Sequence, residues 1–166
     1  MELEYEARQV KHSVESNSKI VKDIADQLVK KYCRDLDNAI DEINELLKDK
    51  DNIEVSKLNY YISYLPILMY YSGNGLEDLG INSDLAKTTR QDAFNEAYLK
   101  AGEGTIPEKT SIAQRAVISE SVVEKAFDRA YKKVKSRLEY ASTLHGSLKK
   151  VLQWKISELE VTRTNI

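Results

Sequence analysis

The sequence predicts an all-α helical bundle with a long C-terminal amphipathic helix, and three observations predict it. Only two prolines and six glycines interrupt 166 residues, and these are the residue types that break helices. Apolar side chains recur at steps of three and four over most of the chain, the period of one helical face. The last such stripe continues from Ile112 to Leu159 with no charged residue in it. The composition agrees, because 42% apolar and 31% charged residues describe a folded chain and not a disordered one. The length suits one domain. The chain is therefore read as a single helical domain over residues 1–166, with an acidic N-terminal helix at 2–50 and a helical core at 56–160.

The first segment carries Val21, Ile24, Leu28, Tyr32, Leu36, Ile40, Ile43 and Leu47 on one face. Before Lys19 the pattern loosens to Leu3, Val10 and Val14, so fraying is expected there. The charged run Lys48 to Asn52 ends the segment. The second, Ser56 to Gly75, is apolar on most sides and predicts a buried helix. Pro66 is expected to kink or divide it. Gly73-Asn74-Gly75 reads as a stop, with a loop from Leu76 to Asn82.

A third helix is expected from Ser83, a good N-cap, to about Ala101. Gly102-Glu103-Gly104 breaks it, and Thr105-Ile106-Pro107-Glu108 reads as a capping box with proline in the first turn. The final stripe then runs through Ile112, Ala116, Ser119, Val123, Phe127, Ala130, Val134, Leu138, Ala141, Leu144, Leu148, Leu152, Ile156 and Leu159. Such a helix would be roughly 70 Å long, against about 30 Å for the diameter of a small domain. That disparity predicts packing against another copy of the chain, through Val123, Phe127, Val134, Leu138, Leu148, Leu152 and Ile156.

Chemistry is sparse. His12 and His145 have no partner histidine at helical spacing, and no Glu-x-x-His pair builds a di-metal bundle site. No serine lies in a Gly-x-Ser-x-Gly turn, and neither glycine pair continues as a phosphate loop. Cys33 reads as a small apolar helix residue. The sequence thus predicts no enzyme activity, no metal and no cofactor. The opening residues lack the apolar core of a signal peptide. The most apolar run, Tyr60 to Tyr71, is shorter than the roughly 20 residues that span a bilayer. A cytoplasmic protein without a membrane partner is expected.

A formal charge of −2 and a pI near 5.8 give no global attraction to nucleic acid, but the charge is unevenly placed. Between Ser121 and Lys155 stand nine basic side chains (Lys125, Arg129, Lys132, Lys133, Lys135, Arg137, Lys149, Lys150 and Lys155) against three acidic ones. A row of cations on a rigid helix can track a phosphate backbone. The same row could also be a solvated face that pairs with the acidic first helix. Tyr131 lies among these cations and could stack on an unpaired base. Lys87, Arg90 and Arg115, near predicted helix starts, are candidate secondary contacts.

Several features together resemble the UvsY-type recombination mediators of tailed phages. They are Ser56-Lys57-Leu58-Asn59-Tyr60 opening an apolar helix, and the run from Lys87 closing on Tyr98-Leu99-Lys100. A glycine-containing loop from Ala101 to Thr105 follows, then a long amphipathic helix ending in Leu148-Lys149-Lys150-Val151-Leu152. The likeness covers about a hundred residues as helix spacing and scattered positions. It implies a ring-forming helical protein that binds single-stranded DNA. It further implies help in loading a RecA-like recombinase in place of a single-strand-binding protein. The acidic first helix is an addition to that pattern. The alternative reading is a non-enzymatic protein-interaction module: a phage structural part, an adaptor or an inhibitor of a host system.

Overall fold

A computed structural model describes the backbone of residues 2–164 and the side chains of residues 12–49 and 52–161. The element order is α1 (Glu2–Leu46), a 3-10 segment (Leu47–Asn52), α2 (Val55–Lys100), α3 (Ile106–Ala116) and α4 (Ile118–Thr164). No strand occurs among the described residues, and the chain is an all-α helical bundle. The loosely spaced Leu3 and Val10 lie outside the described side chains. Contacts divide the chain into two compact units. The first is Met1–Val29 with Glu77–Lys132, and the second is Lys30–Leu76 with Lys133–Ile166.

The second unit has a core of branched residues from three helices. Leu36, Ala39, Ile40 and Ile43 of α1 meet Leu58, Leu65 and Leu68 of α2 and Ala141, Leu144 and Leu148 of α4, with Ile53 closing one end. Cys33 is buried, as a small apolar residue would be. Its thiol is pushed above its ordinary value by burial first and by the nearby Asp37 carboxylate second. Ser72, also buried, donates its hydroxyl to the Tyr32 carbonyl at 3.0 Å.

The first unit uses smaller side chains. Its buried residues are Val21, Ala25 and Val29 of α1, Leu79 of α2, Ala113 of α3, Val117, and Ala126 and Ala130 of α4. Arg90 and Glu124 form a partly buried ion pair across α2 and α4. α3 opens as its sequence requires. The Glu108 carboxylate accepts from the Thr105 amide at 2.8 Å and from the Thr105 hydroxyl at 2.9 Å. These bonds, the amide first, hold the Glu108 carboxyl below its usual range. Gly102 before it sits at φ 68°, which a side chain would resist.

Three expectations are corrected by this architecture. The first concerns α2, which neither divides at Pro66 nor stops at Gly73-Asn74-Gly75. There is no loop at Leu76–Asn82, and Ser83 is an interior residue. Pro66 has no N–H to give to the Ile62 carbonyl one turn earlier. That carbonyl is met instead by the ring of His145 from α4, whose Nε2 lies 3.0 Å away and donates in the matching tautomer. Gly75 serves close approach: an added methyl would meet the Tyr32 ring, 2.5 Å from Cγ and 2.7 Å from Cβ.

The second correction concerns the start of the last helix. Val117 leaves helical geometry (φ −107°, ψ 23°) and separates α3 from α4. One non-helical residue resets the phase of the buried face. The inner line therefore runs through Ala113, Val117, Ala126 and Ala130, while Ile112 and Val123 are exposed. The third concerns length. α1 and α2 hold 45 and 46 residues and α4 holds 47, so α4 has partners of its own size within the chain. Its length does not demand a second copy. Gly146 lies inside the unbroken helix.

Two outcomes test the helix through 62–75. Replacing Gly73, which has open space around it, with alanine should stabilise by about 0.5–1 kcal/mol. Gly75→Ala should destabilise by about 1–3 kcal/mol through overpacking on Tyr32. Urea denaturation of the two variants would read these opposite signs. Separately, His145→Ala should cost about 1–3 kcal/mol by leaving the Ile62 carbonyl unmet. The cost should shrink in a Pro66→Ala background, where a backbone N–H returns. Equal costs in both backgrounds, in a double-mutant cycle, would show that His145 does not serve this carbonyl.

Candidate functional site

The basic side chains of α4 fall into two groups once their partners are known. Several are committed inside the chain. Arg137 donates through Nε to both carboxylate oxygens of Asp37, at 2.7 and 3.0 Å, and both side chains are about one-third exposed. Lys132 pairs with Asp128 one turn away at 2.7 Å. Lys133 is partly buried and already engaged. Lys155 turns inward, with its ammonium 3.7 Å from Glu158 and 5.1 Å from the Trp154 ring centre. Its side chain is nearly buried, so its charge is offset by these partners and not by open solvent.

The others remain exposed, with no ion pair among the described residues. In the first unit these are Lys125 and Arg129, four residues apart on α4, with Lys132 three residues further on the same outward side. In the second unit they are Lys135, Lys149 and Lys150. Of the residues expected as secondary contacts, Lys87 and Arg115 are exposed, and Arg90 is held by Glu124. Tyr131 is partly buried and its ring lies 3.5 Å from where a Gly80 Cβ would stand, so it packs on α2. Arg90 and Arg137 are each held by a carboxylate within the chain and Tyr131 packs on α2, structural roles that stand beside the contact role the sequence suggests for them.

The residues expected at an oligomer interface divide as well. Val134 and Leu148 are completely buried within the chain and are core positions. Leu138 and Leu152 are partly buried against the same core. Val123 and Ile156 are exposed, and Val123 lines an open cleft of the first unit with Phe127 and Leu85.

One surface departs from the sequence's expectation of a buried helix. In the second unit, the side of α2 away from its core exposes Tyr60 (56%), Ile67 (51%), Tyr70 (68%) and Tyr71 (65%). Tyr60 stacks on Tyr64 with ring centres 5.3 Å apart. Tyr60, Tyr64, Ile67, Tyr71 and Asn74 follow steps of four, three, four and three, the spacing of a coiled-coil seam. The core line, Leu58, Leu65, Leu68 and Ser72, is a different stripe of the same helix. The two stripes overlap in sequence and mimic a helix that is apolar all round, which is why α2 reads as fully buried. Resolving the stretch into two separate seams would have found the second one.

Beside this surface an open cleft is lined by Asp41, Glu42 and Glu45 of α1 and Lys57, Tyr60 and Tyr61 of α2. The Tyr61 hydroxyl donates to Glu42 at 2.8 Å. Its phenol is pushed up to about 12, by desolvation first and then by the Glu42 hydrogen bond and charge. Among the described residues, no group of three or more His, Cys, Asp or Glu side chains could hold a metal ion. No helix of the described residues is long and apolar enough to cross a membrane. Comparison of the chain with protein-family models, with curated proteins and with solved structures gives no match in any of the three.

The Tyr61 contact has a signed pH consequence. The folded chain holds this proton more tightly than the ordinary phenol value of 10.0. The stability it contributes is present below pH 10 and is lost as pH rises through about 12. In a spectrophotometric tyrosine titration one phenol should ionise late. Tyr61→Phe should remove that late step, and Glu42→Gln should bring it down. A late step that survives Tyr61→Phe would assign it elsewhere.

Proposed function

We propose that this chain is a non-enzymatic accessory protein that binds single-stranded nucleic acid electrostatically through the outward side of α4. The observation that carries this reading is the division of the basic residues. After Arg90, Arg137 and Lys132 are assigned to carboxylates, Lys125 and Arg129 remain exposed in one unit and Lys135, Lys149 and Lys150 in the other. Exposed cations on a helix, in each unit by itself, suit a phosphate backbone and read no base sequence. The resemblance of the sequence to UvsY-type mediators, carried by scattered positions, points to the same reading. It supplies a RecA-like recombinase and a single-strand-binding protein as candidate partners in recombination or replication.

A second reading, a helical protein-interaction module, is favoured by the uncharged tyrosine surface of α2. Aromatic residues on an uncharged face are the composition of interface cores. Nucleic acid does not suit that surface, because Tyr60 borders Asp41, Glu42 and Glu45, which repel phosphate.

Fluorescence anisotropy with labelled oligo-dT across a salt series separates the two readings. Lys125→Ala with Arg129→Ala, and separately Lys149→Ala with Lys150→Ala, should each weaken binding by roughly tenfold. Each lost phosphate contact should also take about 0.7 from the log–log salt slope. Arg137→Ala is unsuited to this purpose, since it also removes the Asp37 ion pair and should itself cost up to about 1 kcal/mol of stability. Absence of salt-dependent binding by the parent chain would overturn the nucleic-acid reading and leave the interaction module.

A further inference from the structure

We infer that Trp154 is the base-stacking residue of the Lys149–Lys150 cation group on α4, and that it makes this site prefer unpaired to paired nucleic acid. This role rests on the nucleic-acid reading above and adds to it the contact that tells single strands from double.

Cations alone do not make that distinction. A duplex carries one phosphate charge per about 1.7 Å of its axis, against about 3.4 Å for one of its strands. A row of ammonium groups therefore holds a duplex at least as well as a single strand. Preference for an unpaired strand needs a flat side chain that is open to solvent, stands beside the cations and can receive the face of a base.

In the second unit Trp154 meets each of these requirements. It is the single tryptophan of the chain, and it is 47% exposed. Leu148, Leu152, Ile156 and Leu159 carry the apolar stripe of α4 at steps of four, four and three, and Trp154 lies off that stripe. Its exposure is therefore not that of an uncovered end of the core. Lys150 precedes it by one turn on the same side, about 6 Å along the helix axis. Lys149 and Lys150 are both exposed, with no ion pair among the described residues. Tyr140, another half-exposed ring of α4 in this unit, follows Glu139 and gives its hydroxyl to Asn44 at 3.1 Å. No lysine stands within a turn of it.

The indole is also steadied. Nζ of Lys155 lies 5.1 Å from its ring centre, and Lys155 is itself nearly buried. An ammonium at that distance is attracted to the face of an indole. It restrains the ring and still leaves nearly half of the residue open. A ring already held in place loses less freedom when a base settles on it. The acids of this stretch, Glu158 and Glu160, both follow Trp154 in the helix, and Glu158 lies 3.7 Å from the Lys155 ammonium. A strand stacked on the indole therefore leaves it toward Lys149 and Lys150.

Binding and stacking can be read separately in the intact chain. Anisotropy of labelled oligo-dT reports binding, and intrinsic tryptophan fluorescence reports Trp154 alone. Oligo-dT should quench that fluorescence along the same titration curve as the anisotropy, and a duplex of equal length should bind with much less quenching. Trp154→Ala should weaken oligo-dT binding by about tenfold or more and leave duplex binding unchanged. Trp154→Phe should keep most of the single-strand affinity. Lys149→Ala with Lys150→Ala should weaken binding of both ligands. Oligo-dT binding with unaltered tryptophan fluorescence would overturn the stacking role and leave the nucleic-acid reading standing. So would an equal loss of oligo-dT and duplex affinity in Trp154→Ala, which is the mark of a structural change. Failure of the parent chain to bind either ligand would overturn the nucleic-acid reading, and the stacking role with it.

Discussion

A backbone carbonyl governs much of this molecule. Ile62 lies one turn before Pro66, so its oxygen has no amide to accept from within α2. In most sequences such a helix kinks or ends. Here a histidine from α4 reaches the oxygen at 3.0 Å, and α2 continues for 46 residues. The core of the second unit depends on that continuity, because Leu58 lies on one side of the proline and Leu68 and Ser72 on the other. The tyrosine seam depends on it too, since Tyr60 and Tyr71 share a face only if the helix does not break between them. The close contact of Tyr32 with Gly75 secures the next turns of the same helix.

Charge is organised by the same economy of partners. The acidic residues of α1 and the basic residues of α4 do not simply neutralise each other. Arg137 with Asp37 in the second unit and Arg90 with Glu124 in the first are specific, partly buried pairs. What these pairs leave over is two small groups of exposed cations. A net basic count along a helix is thus a poor measure of binding surface until the paired members are removed. The three acids among the nine bases include two, Glu124 and Asp128, that hold a cation in place.

How far the sequence could be read follows from which signals are local. The helical class, the capping box at Thr105 and the end of the third predicted helix near Lys100 were all legible, because composition and capping chemistry act within a turn. The burial of Cys33 was legible for the same reason. The continuity of α2 was not, because it is decided by His145, more than eighty residues away in the chain. Gly73 and Gly75 look alike in sequence, and only the presence of Tyr32 separates a spacer from an ordinary helix glycine. The phase slip at Val117 was hidden because one residue out of register leaves the apolar spacing nearly intact. The commitment of Arg137 was hidden because its partner, Asp37, is a hundred residues distant. The α2 seam was present in the letters but merged with the core stripe beside it.

The two units differ in the size of what fills them, and this sets how each can change. The second is packed with leucine and isoleucine around Leu36, Ile43, Leu58 and Leu65. There the damaging change is truncation, which leaves a void, while exchanges among large aliphatic residues are tolerated. The first relies on Ala25, Ala113, Ala126 and Ala130, and on Gly80 beneath Tyr131. There is little to truncate at these positions, and the damaging change is enlargement, because helices held apart by a methyl group cannot admit a branched chain without moving. Descendants of this sequence would therefore drift under different rules at these positions, with large aliphatic residues exchanged around Leu36, Ile43, Leu58 and Leu65 and enlargement resisted at the buried alanines, and at Gly75 against Tyr32.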